Sequence, residues 1–139
     1  MTGISAQMAG GGSGPRVTLA DTTIEVINTG ATASAAYRLA TDGKVMRSAN
    51  GAAYAEIGTW LTPSVAALAA LYECRVTVTS GTLTSGTTGT WLPLTADQTW
   101  TLSKPTAGAL TVEMTLEIRL AATGTVMASA TVNMGVEYV

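Results

Sequence analysis

Residues 110–120 alternate without a break. Leu110, Val112, Met114, Leu116, Ile118 and Leu120 fall on one side, and Thr111, Glu113, Thr115, Glu117 and Arg119 on the other. Successive side chains point to opposite faces of a strand, whereas a helix would scatter those six apolar residues around its cylinder. The segment is therefore a strand with one dry face. Residues 72–79 repeat the pattern, with Tyr72, Cys74, Val76 and Val78 inward and Glu73, Arg75, Thr77 and Thr79 outward. So do residues 125–136, where Val126, Ala128, Ala130, Val132, Met134 and Val136 form the inner row. Thr125, Met127, Ser129, Thr131, Asn133 and Gly135 form its outer row. Three long strands of this kind demand a second apolar layer to bury their dry faces.

Shorter strands are predicted at residues 17–20, 23–27, 35–39, 44–47, 91–94 and 99–104, separated by turn sequences such as Asn50-Gly51, Ser80-Gly81 and Thr123-Gly124. Asp42-Gly43 carries the strongest hairpin signal, read as a two-residue turn with both central residues at positive φ. Residues 62–70, opening on Thr62-Pro63-Ser64, predict one short helical turn across the end of the sheets. Eight or nine short strands at this spacing describe an all-β antiparallel β-sandwich. Gly10-Gly11-Gly12-Ser13-Gly14-Pro15 marks the boundary. Residues 1–15 read as a flexible Gly-rich N-terminal arm, and residues 16–139 as a single β-sandwich domain.

Composition removes most chemistry. The chain has no histidine and a single cysteine among 139 residues, so neither a Ser-His-Asp triad nor a His- or Cys-built metal centre is available. Glu113 and Glu117 lie about 13 Å apart along one strand face, beyond the roughly 5–9.5 Å of a glycosidase pair. Glu73 and Arg75 are read as a solvated pair with each other. Cys74, on an inward row, reads as a small core hydrophobe. No calcium loop and no phosphate-binding glycine motif occurs, so no cofactor is predicted. Six glutamates and three aspartates against seven basic residues leave a net charge of -2, which excludes a nucleic-acid partner. No signal peptide and no membrane-spanning run is predicted.

The outward rows carry the positive information. Rich in threonine, of which the chain has twenty-five, and sparse in charge, they are polar but nearly neutral, whereas a free monomer usually charges such faces. Such a surface suits packing against other subunits, with outward Met46 and Met127 as contacts. The arm offers Met1, Ile4 and Met8 as anchors for a neighbouring subunit, or else it is a plain tail. Trp60, Trp91 and Trp100 are read as core or sheet-end plugs. Trp60 and Trp91, nearer loops, are the pair a glycan-stacking platform would use.

The order of several segments resembles a known group. These are Tyr37-Arg38-Leu39 with Asp42-Gly43, residues 57–63 around Trp60, residues 72–77, and the Ser/Thr/Gly-rich run 80–92. Trp100-Thr101-Leu102 and residues 112–130 complete the series. Across residues 33–132 the chain is similar to small β-rich proteins of the virion modules of tailed phages and prophages of proteobacteria. The resemblance implies an immunoglobulin-like sandwich, a virion localisation after synthesis in the host cytoplasm, and no catalytic residues. The expected function is a non-enzymatic virion structural protein of the tail: a tail-tip, fibre-base or tail-decorating module. Its partners would be other phage structural proteins and copies of itself. Two alternatives stand beside it: a capsid decoration protein clamping neighbouring capsomers, and a carbohydrate-binding adhesin module that recognises a host surface glycan.

Overall fold

A computed structural model of the chain describes residues 18–19, 23–30, 32–61 and 68–139. The described strands are β1 (Thr18–Leu19), β2 (Thr23–Asn28), β3 (Ala33–Leu39), β4 (Lys44–Ala49) and β5 (Ala55–Thr59). They continue with β6 (Tyr72–Ser80), β7 (Leu92–Pro93), β8 (Gln98–Lys104), β9 (Gly108–Leu120) and β10 (Val126–Tyr138). Two five-stranded sheets result. The first runs β2-β10-β9-β6-β7, and the second runs β1-β5-β4-β3-β8.

The dry faces of the two sheets enclose one core. From the first sheet come Cys74, Val76, Val112, Met114, Leu116, Ile118, Val132, Met134 and Val136, all buried. The second sheet answers with Ala33, Ala35, Tyr37, Leu39, Val45, Trp100 and Leu102. With no phenylalanine in the chain, Trp60, Trp100 and Tyr37 supply the bulk, and all three are essentially fully buried. Each indole finds a backbone acceptor, as buried polar groups require. Trp60 Nε1 donates to the Ala40 carbonyl at 2.7 Å, and Trp100 Nε1 to that of Thr87 at 2.8 Å. The Trp60 ring also meets Tyr72 edge to face, 6.3 Å between centroids.

The three long alternating segments are strands, as predicted, but their dry rows do not stay dry to the ends. Leu110 and Val126 were read as inward core residues, yet both are exposed. β9 and β10 each run 13 residues; Leu110 sits near the start of β9, and the register shift between Ile118 and Arg119 pairs Val126 with outward Arg119, turning it onto the wet face.

The turn chemistry also differs. Ala40 N–H bonds the Lys44 carbonyl and Gly43 N–H the Ala40 carbonyl, so the loop is Thr41-Asp42-Gly43. Gly43 has φ +88° while Asp42 does not enter positive φ. This is a three-residue hairpin ending in a left-handed glycine, not the two-residue turn expected there. The turn with two left-handed central residues lies at Asn50-Gly51, φ 53° and 75°, closed by Ala52 N–H to Ala49 C=O at 3.0 Å.

Two further departures concern the sheets. β5 escapes the period-two reading because its five residues, Ala55–Thr59, alternate too weakly to register. β2 pairs with β10 in parallel, Thr23 beside Asn133 through Asn28 beside Tyr138, so the first sheet is not purely antiparallel. Of the predicted helical segment, residues 68–71 form a single tight helical turn. Residues 62–67 and the predicted arm, residues 1–15, lie outside the described residues.

Candidate interaction surface

The wet face of the first sheet is built by register. β9 pairs antiparallel with β6, setting Glu117 against Arg75 and Arg119 against Glu73. Opposite charges in directly opposed positions attract across the ladder. Arg75 Nη2 and Nε reach Glu117 Oε1 at 2.8 and 3.0 Å. Arg119 Nη2 and Nε each reach Glu73 Oε1 at 2.8 Å. The expected Glu73–Arg75 pair is thus replaced by two cross-strand pairs. Neighbours two apart on one strand sit about 7 Å from each other, whereas directly opposed residues are about 5 Å apart. These pairs are partly solvated, so each contributes about 1 kcal/mol at most.

Trp91 completes this cluster. The pairings of β7 with β6, Leu92 beside Cys74 and Pro93 beside Glu73, carry Trp91 onto the wet face next to Arg75. The guanidinium carbons of Arg75 and Arg119 lie 4.5 and 4.2 Å from its ring centroid. A guanidinium over an indole face is attracted by the ring's quadrupole. The residues form a closed unit: two acids hold two guanidiniums, and those guanidiniums hold the ring.

The sequence-predicted sites fare unequally. Trp60 is fully buried, which corrects its reading as a glycan-stacking residue, because no ring face reaches solvent. Trp91 is half-buried on the outer face rather than in the core, and its ring is engaged by two guanidiniums. Met46 lies on the outer face of the second sheet opposite Arg38 and is half-buried. Met127 is exposed where β10 shifts register: Ile118 pairs with Ala128 and Arg119 with Val126, leaving Met127 as the extra residue of a bulge. Met1, Ile4 and Met8 lie outside the described residues. Cys74 is buried; desolvation pushes its thiol up to about 12, and the nearby Glu73 charge adds to the shift.

Met127 apart, which the sequence places outward, sequence reasoning missed the exposed apolar residues at the two ends of this sheet. Leu68, Leu71, Val126 and Met127 are exposed at the end where β9 finishes. Ile27, Leu110 and Val139 are exposed at the end where β9 begins. At that second end a shallow depression of about 170 Å³ is lined by Val26, Ile27, Ala109, Leu110, Gly135 and Val136. A polar hollow adjoins it over Ser80, Thr111, Glu113, Asn133 and Gly135. Gly135, a gap in the outward row of β10, is common to both. That gap was the one signal of a hollow that the sequence carried.

Among the described residues no group of three or more acidic or cysteine side chains is placed to hold a metal ion. No helix among them is long and apolar enough to cross a membrane. Comparison with protein-family models, with curated proteins and with solved structures gave no match.

Proposed function

We propose that this chain is a non-enzymatic structural protein of a tailed-phage virion, acting at the tail through subunit contacts. The observation that carries this reading is the outer surface of the first sheet. Four of its charges are paired, Glu73 with Arg119 and Glu117 with Arg75; Glu113 accepts from Thr79, Glu137 is exposed, and the other described outward positions are largely threonine, serine and asparagine. Charges already paired on such a face lose less on being covered by another protein than lone ions would. Resemblance to virion-module proteins across residues 33–132 points the same way.

The finer fold in this proposal is immunoglobulin-like. β3 pairs with β8 in one sheet, while β6, β9 and β10 are neighbours in the other. That arrangement corresponds to the B–E and C–F–G groupings of immunoglobulin domains. β2 joins parallel to β10 at the edge, and the β4–β5 hairpin extends the second sheet. The adhesin alternative loses its supports, since Trp60 is buried and Trp91 lies under guanidiniums.

The test is quantitative mass spectrometry on purified particles, joined to an image reconstruction. The chain should be present at a fixed copy number, with its density on the tail. Density on the capsid shell would replace the tail by the decoration role. Absence from intact particles would refute the virion reading.

A further inference from the structure

The loop from β4 to β5 opens on Asn50-Gly51, the turn with two left-handed residues, φ 53° and 75°. The ladder between β3 and β4 ends where Ala35 pairs with Ala49, and one residue further the Asn50 side chain joins it. Asn50 N–H donates to the Ser34 carbonyl at 2.7 Å. The return bond, from Ser34 N–H at 3.0 Å, goes to Asn50 Oδ1 rather than to a backbone carbonyl. Asn50 Nδ2 donates in turn to the Ile27 carbonyl at 3.4 Å. Ile27 lies in β2 of the first sheet and Ser34 in β3 of the second. One exposed amide therefore ties an edge strand of one sheet to the other sheet.

The carbonyl it covers matters because β2 is the edge of its sheet and pairs with β10 in parallel. Backbone groups alternate in direction along such a strand, and the Asn28 carbonyl faces β10, where it accepts Val139 N–H at 2.9 Å. The Ile27 carbonyl consequently faces away from β10. An edge carbonyl left open is a template for a foreign strand, and the Asn50 amide closes this one.

The same amide is set up to react. The chain has three asparagines, and Asn50 alone precedes glycine; Asn28 precedes Thr29 and Asn133 precedes Met134. The nucleophile that closes a ring on an asparagine side chain is the next residue's backbone nitrogen, which a side chain on that residue obstructs. Gly51 has none, is exposed, and has nothing within 4 Å of where a Cβ would stand. Ser34 N–H, aimed at Oδ1, draws charge from Cγ and supports the oxyanion that attack creates there.

We propose that Asn50 is a site of spontaneous modification whose reaction releases the tie between the sheets. The Gly51 nitrogen attacks Asn50 Cγ, its proton passing to solvent base. A new C–N bond forms, the Cγ–Nδ2 bond breaks, and Nδ2 leaves as ammonia with a proton from water. One water then opens the cyclic imide at either carbonyl, leaving aspartate or isoaspartate. No oxidant or reductant takes part. Either product sets a carboxylate against the Ile27 carbonyl where a donor stood, and isoaspartate also lengthens the turn's backbone by one carbon. The edge of β2 is thereby uncovered, and the chain gains one negative charge. None of this depends on the chain's place in a virion.

The experiment incubates the full chain in mildly alkaline buffer and follows it by peptide mass spectrometry, with enzymatic methylation to mark isoaspartate. Asn50 should convert at least about tenfold faster than Asn28 or Asn133, and Gly51→Ala, checked for folding by its melting temperature, should slow it by at least about tenfold. The same reaction in urea separates the folded turn from the bare dipeptide: native conversion should stay within about tenfold of the unfolded rate. A native rate that follows only the small unfolded fraction overturns the proposal, as does conversion at Asn50 no faster than at Asn28 and Asn133. The converted chain, resolved by ion exchange, and Asn50→Asp should both show amide hydrogen exchange about tenfold faster across residues 23–28, with β6 and β9 unchanged. Exchange there equal to that of the unmodified chain would refute the tie between the sheets.

Discussion

Replacing Gly43 by alanine tests whether the hairpin between β3 and β4 anchors the core or only links two strands. Gly43 has φ +88°, and a Cβ there would stand 2.7 Å from the Leu61 carbonyl oxygen. Two costs follow. Alanine in a left-handed conformation is disfavoured by about 1–2 kcal/mol. The close approach must also be relieved by moving Leu61 backbone. Gly43 C=O accepts the N–H groups of Trp60 at 2.9 Å and Leu61 at 3.3 Å, so that movement loosens two bonds. Each is worth about 1 kcal/mol, and both tether fully buried side chains. The sum is about 3 kcal/mol, or roughly 10 °C in melting temperature for a domain of this size. Gly89 is the control: φ is +75° and nothing lies within 4 Å of its would-be Cβ, so Gly89→Ala should cost only the conformational term of about 1–2 kcal/mol. Urea unfolding followed by tryptophan fluorescence measures both variants. If Gly43→Ala and Gly89→Ala agree within about 0.5 kcal/mol, which is ordinary scatter for surface changes, the anchoring argument is wrong.

Two further outcomes are expected. Cys74 should resist thiol reagents in the native state and react only on unfolding. Because its thiol pKa is raised from 9.0 to about 12 in the fold, the unfolded chain loses this proton first. The stabilising contribution is complete below pH 9 and is lost as pH rises toward 12, at up to roughly 1.4 kcal/mol per pH unit; Cys74→Ala should flatten that part of the stability profile. Trp91→Ala should destabilise by about 1–2 kcal/mol through two lost guanidinium contacts. A double-mutant cycle with Arg119→Ala should give a coupling of at least about 0.5 kcal/mol, and zero coupling would show the ring and guanidinium to be mere neighbours.

The dry rows of β6, β9 and β10 could be read from sequence because apolar alternation is local. Val112, Met114, Leu116 and Ile118 are as buried as their spacing implies. What depended on register could not be read. Glu73 pairs with Arg119 rather than Arg75, and only the alignment of β6 with β9 decides that. Trp91 and Trp60 look alike in a string of letters. One sits beside a two-residue strand that lays it on the outer face, and the other is drawn inward by the Gly43 and Ala40 carbonyls. Leu110 and Val126 fit the alternation and are exposed anyway; for Val126 the cause is a bulge that pairs it with outward Arg119, which one strand's own pattern does not reveal. The candidate surface was therefore legible as polar and weakly charged, while its ion pairs and its two apolar ends were not.

The parallel pairing of β2 with β10 has a consequence for how the molecule is made. Thr23–Asn28 finds its partner in residues 133–138, more than a hundred positions later. Hairpin β3–β4 can close locally within moments of synthesis, but β2 must wait until almost the whole chain is available. Pairings with so large a separation raise contact order and slow folding. Until then one edge of β9 also stands open, a template for the wrong neighbour. Removing residues 133–139 would therefore do more than shorten a strand. It would leave β2 without its described partner and hold the protein at a stage the intact chain passes through only briefly.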